Sequence, residues 1–179
     1  MSDLASPRVP PITPAEVDEA TDQLLDMVGD FRNNNVFLTL VRHPRTYKRL
    51  VPWGTAMLFG TLPPRDRELL ILRTAHRCGC TYEWVHHVEI SAQRGVDPSE
   101  IDAVREGPDS AHWSEFEAAL LRAVDELHDN SRISDATWSF IAERYEQSQM
   151  IELPMLIGHY HLMAFILNSL GVELEPGYL

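Results

Sequence analysis

Helix-start signals punctuate this chain, and between them no run alternates apolar and polar residues for long enough to make a strand. Thr13 and Glu16 flank Pro14, Asp97 and Glu100 flank Pro98, and Ser114 stands three residues before Glu117. In each case the cap oxygen can accept from the backbone N–H three residues on, while the glutamate reaches back to the cap. Proline at the first helical position removes a donor that would otherwise lack a partner. Ser134 supplies one more cap. Apolar residues recur at three- and four-residue spacing after each signal. The chain is therefore predicted to be all-α, with about eight helices.

Residues 1–12 carry Pro7, Pro10 and Pro11 and are expected to form an extended arm. Residues 13–179 are expected to form a single domain. Thr13 should open a helix whose apolar stripe is Val17, Ala20, Leu24, Leu25 and Val28, ended at Gly29-Asp30. A short helical segment covers Val36 to Val41. A helix from Pro44 to Phe59 follows, kinked at Pro52 and Gly54. Asp97 starts a short helix that stops near Gly107-Pro108. Ser114 starts one that reaches about Asp129, Ser134 starts another, and the last runs from about Ser148 to Leu170, closed by Gly171.

Residues 65–95 read as two helices joined at Gly79, and they hold most of the reactive side chains that could meet. Glu68 lies on the first helix. Cys80, Glu83 and His87 follow the joint at spacings of three and four, which should place them on one helical face. A thiol beside a histidine oriented by a carboxylate is suited to nucleophilic or redox chemistry. A histidine with two carboxylates and no reactive thiol is suited to general acid–base chemistry. His86 and His87 are adjacent and point roughly 100° apart, so they should not share a ligand site. Tyr82, Trp84, His86 and one of His159 and His161 are candidates to line the site, and Arg73 is a candidate to hold a substrate carboxylate. The HExxH and CxxC motifs are both absent, so neither a metal nor another cofactor is expected.

A formal charge of −12 disfavours nucleic acid and anionic membrane surfaces as partners. The most apolar stretch, Met155 to Leu167, is short and interrupted by His159, Tyr160 and His161, so no membrane span is expected. No secretory leader is visible, and Cys78 and Cys80 are poorly placed for a disulfide within a helix. The expected location is the cytoplasm, and the expected partner is a small-molecule substrate.

The segment RDRELLILRTAHRCGCTYEWVHHVEIS, with weaker support from ISDATW and IELPMLIGHYHLMAFILNSLGVELEP, resembles the carboxymuconolactone decarboxylase family, which also contains the alkylhydroperoxidase D proteins. The peroxidase branch of that family carries a glutamate, a CxxC twelve residues on, and a histidine four residues past the second cysteine. Glu68, Cys80 and His87 match the glutamate, the first cysteine and the histidine, whereas Glu83 stands at the second cysteine. Loss of that thiol puts two-cysteine peroxide chemistry in question and resembles the decarboxylase-like branch.

The resemblance implies an alkylhydroperoxidase D-like helical fold around a central hairpin, and a homo-oligomer, trimeric or hexameric. It also implies cofactor-independent chemistry on a small carboxylated lactone or related enolisable acid. His87 would be the acid or base, with Glu68 and Glu83 tuning it. Two alternatives stand beside this reading: a thiol-dependent antioxidant enzyme using Cys80, and an oligomeric binding protein without chemistry.

Overall fold

In a computed structural model that describes residues 6–178, nine α-helices follow one another, and no strand occurs among the described residues. They are α1 (Glu19–Leu25), α2 (Asn35–Leu40), α3 (Pro44–Leu58), α4 (Pro64–Arg77), α5 (Thr81–Ala92), α6 (Ile101–Glu106), α7 (Glu115–Asn130), α8 (Asp135–Ala142) and α9 (Gln147–Leu170). The fold is all-α, as expected. The chain divides into two compact units, one of residues 1–58 with 165–179 and one of residues 59–164.

In the smaller unit the expected helix from Thr13 to Val28 is not continuous. Thr13 does form its capping box, but on a single 3-10 turn, Pro14–Glu16, and Val17 is extended. Asp18 then accepts from the Thr21 N–H and starts α1 afresh. The reason is competition between two caps five residues apart, each of which holds its own backbone donors. Beyond α1 a 3-10 stretch, Asp26–Asn33, breaks at Gly29, whose φ of 56° lies in the left-handed region. Ile12, Leu24, Leu25, Val41, Tyr47 and Val51 make this unit's core. The expected arm lies partly outside the described residues, at 1–5. Its remainder hydrogen-bonds within this unit, from Arg8 N to the Leu170 carbonyl at 2.8 Å and from Ile12 N to Leu38 at 3.0 Å.

The larger unit is built on α4. Every residue from Asp66 to Ala75 is buried, so this helix has no solvent face over ten positions. Such burial requires each of its charges to be matched. Arg73 pairs with Asp125, Arg67 donates to the carbonyls of Gly60 and Leu62, and Asp66 accepts from the Tyr145 hydroxyl at 2.8 Å. Leu69 and Leu72 join Val96, Ala103, Val104, Trp113 and Leu121 in the apolar cluster around it.

The turn from α4 into α5 needs Gly79, at φ 59°, where any Cβ would be strained. The loop entering α4 is fixed by Glu152 of α9, which accepts from Thr61 N at 2.6 Å and Leu62 N at 3.2 Å. α9, at 24 residues, is long and apolar enough to cross a membrane. Leu153, Leu156, Ile157 and Ala164 are nevertheless fully or almost fully buried, as in a core helix.

Candidate active site

The turn at Gly79 folds α5 back along α4, and this brings Glu68 to His87 although nineteen residues separate them. His87 Nδ1 donates to Glu68 Oε2 at 2.8 Å, and His87 Nε2 faces Glu83 Oε2 at 3.4 Å. All three side chains are buried, and Glu68 is only 1% exposed. Because Nδ1 is committed to Glu68, Nε2 is the nitrogen left to exchange a proton.

Burial alone would lower the imidazole's pKa. The hydrogen bond and charge of Glu68, with the charge of Glu83, outweigh it and hold His87 above its ordinary value. Burial pushes the Glu83 carboxyl up, against the opposing charge of His87. With both groups raised, the buried pair favours keeping a proton between the Glu83 carboxylate and the His87 imidazole.

α9 closes this group with two side chains. The Tyr160 ring meets the His87 ring edge-on at a centroid distance of 5.1 Å, and the His159 ring meets Tyr160 at 5.2 Å. Burial, then the charge of His87, pushes His159 down to about 4, so it stays neutral at physiological pH. The phenol of Tyr160 is raised well above its usual range by burial and by the two glutamates. Of the two candidate histidines on α9, His159 thus sits by the site. His161 turns instead to His128 on α7. Tyr160 was not among the residues expected from sequence, where it featured only as an interruption of an apolar stretch. Its place two residues from Gly158 and between two histidines is a weak signal at best.

Other candidates are deployed differently. Cys80 is the N-cap residue of α5, with φ −91° and ψ 93°, and its thiol lies close enough to Glu83 to feel both its charge and its backbone N–H. Its thiol is 2% exposed and pushed up to about 12 by burial and the charge of Glu83. Arg73 is not available for a substrate. Its Nε and Nη2 each lie 2.8 Å from Asp125 oxygens, and Nη1 donates to the carbonyls of Val104 and Arg105. Trp84 packs against the Leu69–Leu72 cluster, with the Arg105 guanidinium 4.4 Å above its ring, and is a wall of the core. The Tyr82 and His86 rings lie 4.5 Å apart, tilted by 40° to each other.

Arg67 was not singled out from sequence. It is 3% exposed, its Nε has no hydrogen-bond partner among the described residues, and its charge acts on the Tyr160 phenol.

Residues 44–126 match the carboxymuconolactone decarboxylase family. No curated protein matches the chain significantly. Among solved structures, the chain is similar to the alkylhydroperoxidase core of an uncharacterised peroxidase-related protein from Ralstonia eutropha JMP134. That similarity has a TM-score of 0.82 and 20% identity, and covers 96% of this chain and 94% of that one. It is also similar to the debrominase Bmp8 in complex with 2,3,4-tribromopyrrole, with a TM-score of 0.79, 15% identity and coverage of 98% and 96%. A peroxidase-related protein from Silicibacter sp. TM1040 gives 0.78 at 13% identity, with coverage of 99% and 93%. At these identities the structures establish a shared alkylhydroperoxidase D-like fold.

Proposed function

We propose, from the match of residues 44–126 to the carboxymuconolactone decarboxylase family, that the protein is a cofactor-independent enzyme that decarboxylates, or otherwise cleaves, a small carboxylated lactone or enolisable acid. The observation that carries the reading is His87, buried between Glu68 at 2.8 Å and Glu83 at 3.4 Å.

In the decarboxylation, the bond between the substrate's carboxylate and its ring carbon breaks, and carbon dioxide leaves. The bonding pair is delocalised into the adjacent carbonyl as an enolate. His87 Nε2–H then delivers its proton to that carbon, and Glu68 holds the imidazolium in orientation throughout. Glu83 or water returns the proton to Nε2. We assign the substrate's carboxylate to Arg67, whose buried guanidinium has an unused donor, in place of Arg73.

The reading extends to a homo-oligomer, supported by the exposed apolar side chains of Ile151, Met155 and Leu162 on α9. It also extends to a cytoplasmic setting, in keeping with two free cysteines. The test is turnover of a panel of carboxylated lactones by the wild type and His87→Ala. A loss of about 100-fold or more is expected; equal rates would remove His87 from the mechanism.

A further inference from the structure

Cys78, His128 and His161 come from three different helices of the larger unit and play no part in the chemistry described above. Cys78 is the residue that ends α4, His128 lies in the last turn of α7, and His161 lies midway along α9. Their ligand-type atoms converge. Cys78 Sγ is 4.0 Å from His128 Nδ1, and His128 Nδ1 is 3.0 Å from His161 Nε2. One sulfur and two imidazole nitrogens all lie within 4.8 Å of one another.

We propose that Cys78, His128 and His161 form a binding site for a divalent transition-metal ion of the zinc type, separate from the His87 centre.

The distances suit such an ion. Ligands at about 2.0–2.3 Å from a tetrahedral zinc lie roughly 3.3–3.6 Å from each other. Two of the separations, 3.0 and 4.0 Å, bracket that range and the third is within 4.8 Å, so side-chain rotations can close the set around an ion. The orientation of His161 is already set. Its Nδ1–H donates to the Ile157 carbonyl at 2.9 Å, which leaves the lone pair on Nε2, the atom that faces the cluster. A histidine anchored through its second nitrogen in this way is the usual support for a metal ligand.

Arg77, the nearest cation, is paired with Asp129 at 2.5 Å and Asp125 at 3.6 Å, which offsets its repulsion of an incoming ion. The three ligands are half-buried, so an ion has a path from solvent, and water can take the fourth position. Binding displaces the thiol proton of Cys78 to solvent and leaves the thiolate as the one anionic ligand. A thiolate with two imidazoles favours zinc, or cobalt as its spectroscopic substitute, over magnesium or calcium.

The experiment is titration of tag-free, reduced, metal-stripped protein with cobalt(II), followed by displacement with zinc. We expect one ion per chain, a thiolate-to-cobalt charge-transfer band in the near ultraviolet, and the intense visible bands of a tetrahedral site. Cys78→Ser should remove the charge-transfer band. His128→Gln should weaken cobalt binding by about tenfold or more. Both variants should keep the wild-type helical circular dichroism and the wild-type activity at the His87 centre. Absence of a charge-transfer band in the wild type, or a band that survives Cys78→Ser, would overturn the proposal. Undiminished affinity in folded His128→Gln would overturn it as well.

Discussion

Glu68 and His87, on successive antiparallel helices, are joined by a 2.8 Å hydrogen bond in which the histidine's Nδ1 is the donor. This one bond fixes the tautomer of the buried imidazole, its ring plane and the nitrogen that faces Glu83. Removing the carboxylate should therefore act on rate through His87 rather than on substrate binding. Glu68→Gln keeps the shape and a hydrogen-bonding group but loses the charge. We expect kcat to fall by about 10–100-fold with KM little changed. The alkaline limb of the pH profile, where His87 loses its proton, should move to lower pH as the imidazolium loses its counter-charge. A proportional change in KM alone would assign Glu68 to binding.

The same cluster makes stability depend on pH in a definite direction. His87 is raised above 6.5 in the folded state and Glu83 above 4.5, so the native protein binds more protons than the unfolded chain above those values. The stabilisation from each group is fully present below its unfolded value and is lost as pH rises through its folded value. The melting temperature should accordingly fall from pH 5 to pH 9 more steeply in the wild type than in a Glu83→Gln, His87→Gln double variant. A wild-type slope no steeper than the variant's would contradict this.

Arg73 should behave as a structural residue. Arg73 is 5% exposed and matched to Asp125, so Arg73→Ala leaves Asp125 with only its longer contact to Arg77 at 3.6 Å and should destabilise the fold by about 3 kcal/mol. Gly107→Ala should be destabilising too. Its φ is 97°, and a Cβ there would stand 2.6 Å from Arg73 Nη2. Denaturant unfolding measures both. A folded, fully stable Arg73→Ala that had lost only substrate affinity would restore this arginine to the site.

Cys80 should be inert. A thiol 2% exposed with its pKa pushed up to about 12 offers almost no thiolate at neutral pH. Mass spectrometry after mild peroxide should find Cys80 reduced in the native protein, and Cys80→Ser should retain turnover within a few-fold. Sulfenic acid at Cys80 under those conditions would revive the thiol-dependent reading.

The hairpin of α4 and α5 was legible because its signals are local. Apolar spacing defines both helices, Gly79 marks the left-handed turn, and Glu83 and His87 are one helical turn apart. Glu68 could be placed opposite His87 because a tight turn brings neighbouring helices together. The errors arose where partners are distant or caps compete. Arg73 reads as a spare cation until Asp125, fifty-two residues on, folds against it. Cys80 has the spacing of the α5 face, but the burial that keeps its thiol protonated is set by the surrounding fold and not by that spacing. Tyr160 and Arg67 gain meaning only from burial, which no short window of residues reports. The break between Thr13 and Asp18 was hidden because each cap is locally sound and only their rivalry ends the helix.

The burial of α4 on all sides has a further consequence. Amides along Asp66 to Ala75 have no route to solvent through local fraying and should exchange only when the whole larger unit opens. Glu68 therefore rides on the segment of this unit that yields last. Its carboxylate is carried on backbone that should stay ordered through local openings of the surrounding chain.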